Sequence, residues 1–578
     1  MCPTDLKLWA EKGIIQSLMP TKWNDARTFH LGINMAGAVS AGAYTAGVLD
    51  FLMQALEEWY TAKASGSPVP MHDISIDVFS GASAGGMCAA IAAVMVQGSF
   101  QHIGNAADAS VKGTSNKFYE SWVNKIDIEW LLQDKDLGDG KPVVSLLDST
   151  IIDEIADYAI APTAATSRPY ISDSLTLFLA LTNVRGTPFS LNGVADGSAE
   201  EDIAYYADSL QFETVSGPAA PLSIAAKPLP IGSNAGAWPL LKEAAKATGA
   251  FPLFLAPRKI DRSAADYLNS PWEPLSVVDP QPVAPHWPLQ PGDTFTTLNV
   301  DGGVTDNDPF ELAHDFLAIH NPLAKPNPQT GDLENPRPAD KANCAVLTVA
   351  PFPSDDLYNP NYNFETNGSV FGMIPNLLTA LLGQSRFLGE SLTAVVDGTS
   401  FSRFVLAPSD AENPTKAALQ CGLLGAFGGF FERGFRAHDY QLGRRNCQKF
   451  LSDHFRLAVD NPIIAEGLAG FDAATRLAVI NKFDPQQLTI PLIPLCGSAV
   501  AEVTAPARAT ITSARVADVL NWIVTRMRAV AKPLLESVVG TGIEDVAARA
   551  AVDTLISTWG KGRLKELLNK ELGEVISG

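Results

Sequence analysis

The sequence predicts an α/β protein with a mostly helical C-terminal region, and three stretches carry that prediction. In each, a short apolar run of strand type leads through a small-residue or glycine turn into a helix: 28–60, 74–96 and 298 onward from Leu298. Strands that alternate with helices argue for a layered α/β core with parallel pairing. The organisation expected is a helical preamble over 1–27, a catalytic domain over 28–350, and a mostly helical region over 351–578 packed on that core.

The first unit opens with Thr28-Phe-His-Leu-Gly-Ile-Asn-Met35, which reads as a strand. Ala36-Gly-Ala-Val-Ser-Ala-Gly42 follows as a small-residue loop, then a helix over about 43–60. Val48, Leu52, Ala55, Leu56 and Trp59 recur at three- and four-residue spacing, so one face of that helix is buried. The second unit is an alternating run (Ile74, Ile76, Val78), the turn Gly81-Ala82-Ser83-Ala84-Gly85, and an alanine-rich helix to about 96. Strand, Gly-x-Ser-x-Gly and helix together form the context that lifts a nucleophilic serine from the end of a sheet. Gly81 and Gly85 leave room for the strained turn, and the helix N-terminus places partial positive charge near Ser83.

Residues 98–140 read as polar loop apart from a helix over 117–132, and 175–182 is a strong strand candidate. A helix over 240–250 runs into Phe251-Pro-Leu-Phe-Leu-Ala-Pro257. The proline-studded segment 270–291 reads as an excursion from the core, with a lid as its functional reading. The third unit, Leu298-Asn-Val-Asp-Gly-Gly-Val-Thr-Asp-Asn-Asp-Pro309, is a strand ending in Asp301, a turn through Gly302 and Gly303, and a helix from about Pro309. Further on, 345–349 is an apolar strand, helix prevails from about 376, and the tail 513–576 has amphipathic spacing at Val516, Val519, Leu520, Ile523, Met527 and Val530.

Composition narrows the function. With 578 residues, 46% hydrophobic and 18% charged, the chain has ample core and more than one lobe. A net charge of −21 without a basic stripe excludes nucleic acid as a partner. The first 25 residues hold no apolar signal region, and no uninterrupted apolar run reaches the ~18 residues of a membrane span. The nearest approach is the uncharged, glycine-rich stretch 417–431. Six dispersed cysteines fit a reducing compartment, so the expected location is cytoplasmic, with peripheral membrane contact. One basic cluster stands out against the acidic background: Arg436, Arg444 and Arg445, for which phosphate head-group recognition is the functional reading.

The chemistry that these stretches suggest is nucleophilic. Ser83 is the candidate nucleophile and Asp301 its base partner, and the loop one unit earlier offers backbone amides for an oxyanion. His314, His320, His438 and His454 follow Asp301, so a Ser-Asp-His triad is the alternative. No Cys/His or His-Glu-x-x-His cluster points to a metal, and no nucleotide fingerprint or other cofactor motif occurs.

Taken together, the loop 36–42 with Gly47-Val48-Leu49, the elbow 81–85 and Asp301-Gly302-Gly303 make the sequence resemble the patatin-like phospholipase family. Ala247-Thr-Gly-Ala-Phe-Pro252, and Asn307 with Pro309, add secondary matches, and the resemblance covers roughly 28–350. It implies a three-layer α/β/α hydrolase core, a Ser83–Asp301 dyad without histidine, and an oxyanion hole from Gly37, Ala38 and Val39. It also implies no cofactor and a lipid or ester substrate met at a membrane or micelle surface. A lipid-binding or regulatory protein on the same scaffold is the reading of another class. The family's loop reads Gly-Gly-Gly-x-Arg-Gly, whereas here Ala38 and Val39 replace two glycines and Ala41 stands in the arginine's place. A positive φ at Val39 would therefore be strained.

Overall fold

The fold is that of a computed structural model describing Trp23 and residues 25–577, except 105–112, 139–141, 163–164, 193–199, 218, 269–282, 329–330, most of 353–399, 414–415 and 540–560. Most of the expected preamble and most of the proline-rich excursion lie outside the described residues.

Thr28–Met35 (β1) is buried along its whole length, as a strand covered on both faces must be. It pairs in parallel with Asp73–Gly81 (β2) on one side and Cys344–Val349 (β8) on the other. Ile171–Asn192 (β3) continues the parallel set beside β2, and Arg403–Leu406 (β9) closes the other edge beside β8. Past β3 the sheet turns mixed. Glu200–Val215 (β4) is antiparallel to β3, and Lys227–Pro230 (β5) is parallel to β4. Thr294–Asp301 (β7) pairs antiparallel with β3 and with Arg258–Ser263 (β6). The order is β9-β8-β1-β2-β3-β4-β5, with β7 and β6 branching from β3.

Helices flank both faces, giving the expected three layers. Gly42–Ala64 (α1), Ala84–Met95 (α2) and Trp238–Thr248 (α4) cover one face over Phe29, Leu31, Ile33, Ile74, Ile76 and Phe79. Phe310–His320 (α5) covers the other, over Val78, Phe178 and Val346. A bulge in β2 between Ile76 and Val78 therefore breaks the simple alternation expected there. Asp77, the extra residue, is satisfied by His30 and Ser75.

Residue 350 is not a packing boundary. β9 belongs to the main sheet, and Arg433–Asp453 (α6) lies directly on α1. A Cβ on Gly443 would collide with the Tyr44 carbonyl, and one on Gly47 with the Tyr440 carbonyl, so the two backbones are in contact. Ser513–Val539 (α7) packs on the turn Ile128–Leu131, and Lys561–Leu572 (α8) packs on α7. Val516, Val519 and Leu520 of α7 are buried, whereas Met527 faces solvent.

The helix expected over 117–132 is interrupted. A π-helical turn, Glu120–Lys125, ends at Ile126, and Asp127 caps a separate turn, Ile128–Leu131. The five described cysteines are buried and unbridged, and no described helix is long and apolar enough to cross a membrane.

Candidate active site

Two strand ends converge on one edge of β3. Gly81, the last residue of β2, stands opposite Leu179, and Asp301, the last of β7, stands opposite Leu181. The other edge of Leu181 faces Asp208 of β4, so β2 and β7 share an edge. Because β2 runs parallel to β3 and β7 antiparallel, their C-terminal ends meet head to head, two residues or about 7 Å apart along β3. Ser83 follows Gly81 in a strained conformation, φ 52° and ψ −129°, which turns the chain sharply into α2. Space alone demands Gly85 and Gly302: a Cβ on either would fall on the carbonyl of Met35 or of Ala180.

The Ser83 hydroxyl donates to Asp301 Oδ2 at 2.7 Å, and the Gly303 N–H donates to Oδ1 at 2.8 Å. Both side chains are buried, Asp301 to 1% exposure. The Ser83 N–H donates to Thr248 Oγ1 at 2.9 Å, while Asp301 is fixed through its own N–H to the Ala250 carbonyl and through its carbonyl to Thr182 Oγ1. Burial pushes the Asp301 carboxyl up to about 7, and the hydrogen bonds from Ser83 and Gly303 offset only part of that rise.

The loop 36–42 lies beside the pair. Its Gly37 N–H donates to the Asn307 carbonyl at 3.0 Å, so Gly37 is committed elsewhere and does not supply the oxyanion donor expected of it. Among the described residues, the N–H groups of Ala38, Val39 and Ala84 meet no protein acceptor. Val39 does take a positive φ, 46°, the strained state that a β-branched residue rarely adopts. Ala84 opens α2, so its amide carries the positive end of that helix's dipole.

Ser83, Asp301 and Val39 stand in the wall of a cavity that is otherwise almost wholly apolar. The cavity volume is about 90 Å³. Met87 and Ile91 come from α2, Ala156 and Ile160 from and after Thr150–Ala159 (α3), and Phe427 and Phe430 from the C-terminal region. Lys246 borders it with its ammonium paired to Asp153 and Glu243.

Two of the three arginines of the basic cluster prove to be internal wiring. Arg436 is 1% exposed and donates to the Val123 and Gly429 carbonyls and to Asp127. Arg444 is 3% exposed and joins Asp50 and Gln54 of α1. Arg445 reaches the Val503 carbonyl, Glu412 and Glu502. In an acidic chain the guanidinium groups serve as partners for nearby carboxylates and carbonyls, and burial takes Arg436 and Arg444 out of reach of a head group, while Arg445 stays partly exposed among surface carboxylates. The four histidines of the alternative triad are elsewhere too. His314 pairs with Asp315, His320 with the Phe316 carbonyl and His438 with Asp439, while His454 lies against Phe450. None hydrogen-bonds to Ser83 or Asp301 among the described residues. Glu311, His314 and Asp315 bring ligand atoms within 4.8 Å of one another on α5, and the Arg403 charge beside Glu311 already supplies a counter-ion there.

Three contributors escaped sequence reading. Thr248 as the Ser83 acceptor and Ala84 with its unpartnered N–H depend on tertiary placement that no periodicity encodes. The α3 wall did leave a signal, since Ile152, Ile155, Ala156 and Ala159 recur at three- and four-residue spacing.

The family model described as patatin-like phospholipase matches residues 34–314, a span that contains the elbow, Asp301 and the loop 36–42. An uncharacterised protein, y4iI, of Sinorhizobium fredii is 34% identical, the match covering 88% of this chain and 76% of that one. Among solved structures, VipD from Legionella pneumophila is matched over 95% of this chain and 92% of its own, at 10% identity and a TM-score of 0.21. The chain belongs to the patatin-like phospholipase family.

Proposed function

We infer that this protein is a serine lipid acyl hydrolase that works through a Ser83–Asp301 dyad. The observation that carries the reading is the 2.7 Å hydrogen bond from Ser83 to Asp301 at the wall of an apolar cavity. Asp301 accepts the hydroxyl proton as Ser83 Oγ attacks an ester carbonyl. A carboxyl held near 7 is a competent base at neutral pH, whereas an ordinary carboxylate would be too weak. The amides of Ala38, Val39 and Ala84 hold the oxyanion of the tetrahedral intermediate, and the acyl chain lies in the cavity. The alcohol leaves with the proton from Asp301, and water then resolves the acyl-enzyme by the same steps in reverse order. The substrate class is a carboxylic ester with an apolar acyl chain.

A second reading, a lipid-binding or regulatory protein on this scaffold, draws on the strained Val39 and on the committed Gly37 amide. A fluorophosphonate probe separates the two. Stoichiometric modification at Ser83, abolished in Ser83→Ala, together with release of fatty acid from phospholipid or neutral ester, supports the hydrolase. A folded wild type that resists the probe and releases no fatty acid supports the binding module.

A further inference from the structure

We propose that Ser40 is a positioning residue whose hydroxyl ties the oxyanion loop to residues 421–430, so that a segment outside the matched family span completes the active site. The proposal rests on the hydrolase reading.

Val39 holds φ 46° although it is β-branched, and such a conformation persists only where its surroundings impose it. One end of the loop is held by Gly37 on the Asn307 carbonyl. The other end is held by Ser40, which is fully buried. Its N–H donates to the Ala426 carbonyl at 3.2 Å, and its hydroxyl donates to the same carbonyl at 2.6 Å. That hydroxyl also accepts from the Gly429 N–H at 3.0 Å. With the longer contact of the hydroxyl to the Cys421 carbonyl at 3.3 Å, four hydrogen bonds converge on one serine, which both donates and accepts. Between the two anchors lie Ala38 and Val39, whose amides are the ones left free to act.

The partner segment is shaped for this contact. Leu424, Gly425 and Ala426 have φ of 55°, 63° and 73°, a run of left-handed residues that folds the chain back toward Ser40. Phe427, next in sequence, packs on Phe251 and Phe254 at ring-centroid distances of 5.9 and 5.2 Å and lines the cavity. The stretch 417–431, apolar enough to stand out in the sequence, therefore has two uses: clamping the loop and walling the acyl site. The family span ends at 314, so the clamp is supplied from more than a hundred residues further on. It gives the loop from outside the shape that glycines at 38 and 39 would otherwise allow.

The test uses the full-length protein with p-nitrophenyl butyrate and a fluorophosphonate. Ser40→Ala removes the hydroxyl. Gly429→Ala pushes on it from the other side, since the new Cβ would lie 2.6 Å from Ser40 Oγ and 2.5 Å from Cys421 Sγ. Each should lower kcat by about 10- to 100-fold, short of losing every oxyanion donor, with KM within about twofold and Ser83 phosphonylation slowed in parallel. The double variant should lose less than the product of the single losses, because both act on one clamp. Should Ser40→Ala fail to fold, Ser40→Cys, with a weaker donor and acceptor at the same place, is read by the same criteria. A folded Ser40 variant with unchanged kcat, or with its loss confined to KM, overturns the clamp. Ser83→Ala run alongside separates the two failures. If it keeps turnover, the hydrolase reading falls and the clamp with it; if it is dead while Ser40→Ala turns over normally, only the clamp falls.

Discussion

Replacing Asp301 by asparagine should disable the enzyme and stabilise the fold, and the second effect should grow with pH. Asp301 is 1% exposed, and burial raises its carboxyl from 3.8 to about 7. Between those values the native state keeps a proton that the unfolded chain has released. The native state therefore binds more protons, and stability falls as pH climbs from about 4 to about 7. Each tenfold change in proton affinity is worth about 1.4 kcal/mol, so carrying the charge at pH 8 costs the fold about 4 kcal/mol. Asparagine has the same shape and no charge, accepts from the Gly303 N–H and donates to the Ser83 hydroxyl, so Asp301→Asn removes that cost. With about 2.1 cal/mol/K of unfolding entropy per residue, a chain of this length gains about 3 °C in Tm at pH 8 and less than about 1 °C near pH 4.5. Thermal unfolding followed by circular dichroism at the two pH values reads the difference, and ester turnover should fall at least about 10²-fold in the same preparation. A Tm gain that ignores pH would refute the buried-charge argument. Turnover at the wild-type level would refute Asp301 as the base.

Three further outcomes follow from the same geometry. In the wild type, kcat/KM should rise about tenfold per pH unit on the acid side and level off above about 7, because in the proposed mechanism only ionised Asp301 accepts the Ser83 proton; an inflection in the ordinary carboxylate range would contradict its burial. Ala156→Leu adds bulk on the α3 wall and, by displacing about two methylenes of substrate at about 0.8 kcal/mol each, should cut kcat/KM for long-chain esters about tenfold. Acetate esters should be hydrolysed within about twofold of wild type, and a uniform loss across a chain-length panel would mean that the cavity does not hold the acyl chain. Arg444→Ala strips the guanidinium from buried Asp50 and should cost about 3 kcal/mol in urea unfolding, with the ratio of phospholipid to neutral-ester turnover unchanged. A selective fall in phospholipid turnover would restore a head-group role.

The candidate site concentrates local strain. Ser83 and Val39 both hold positive φ, and Asp301 sits where a carboxylate is least welcome. Each is a cost that the surrounding fold must impose. For Ser83 the constraint comes from the elbow itself, closed over Gly85 and held by Thr248. For Asp301 it comes from the meeting of β7 with β3. For Val39 it comes from Asn307 on one side and Ser40 with Ala426 on the other.

What the sequence determined by itself was local. Alternating apolar runs closed by glycine turns and followed by helical spacing placed β1, β2, β7 and their helices, and they marked Ser83 and Asp301, because strand, turn and helix are written in neighbouring residues. Contacts between distant segments were decided only by the tertiary structure. Gly37 gave up its amide to Asn307, roughly 270 residues away, and Arg436 and Arg444 turned inward because Asp127 and Asp50 needed partners. The β2 bulge moved Val78 to the other face, and β9 joined the sheet from beyond the expected domain limit. Burial, and with it the proton affinity of Asp301, is a property of everything packed around a side chain, so no local pattern can state it.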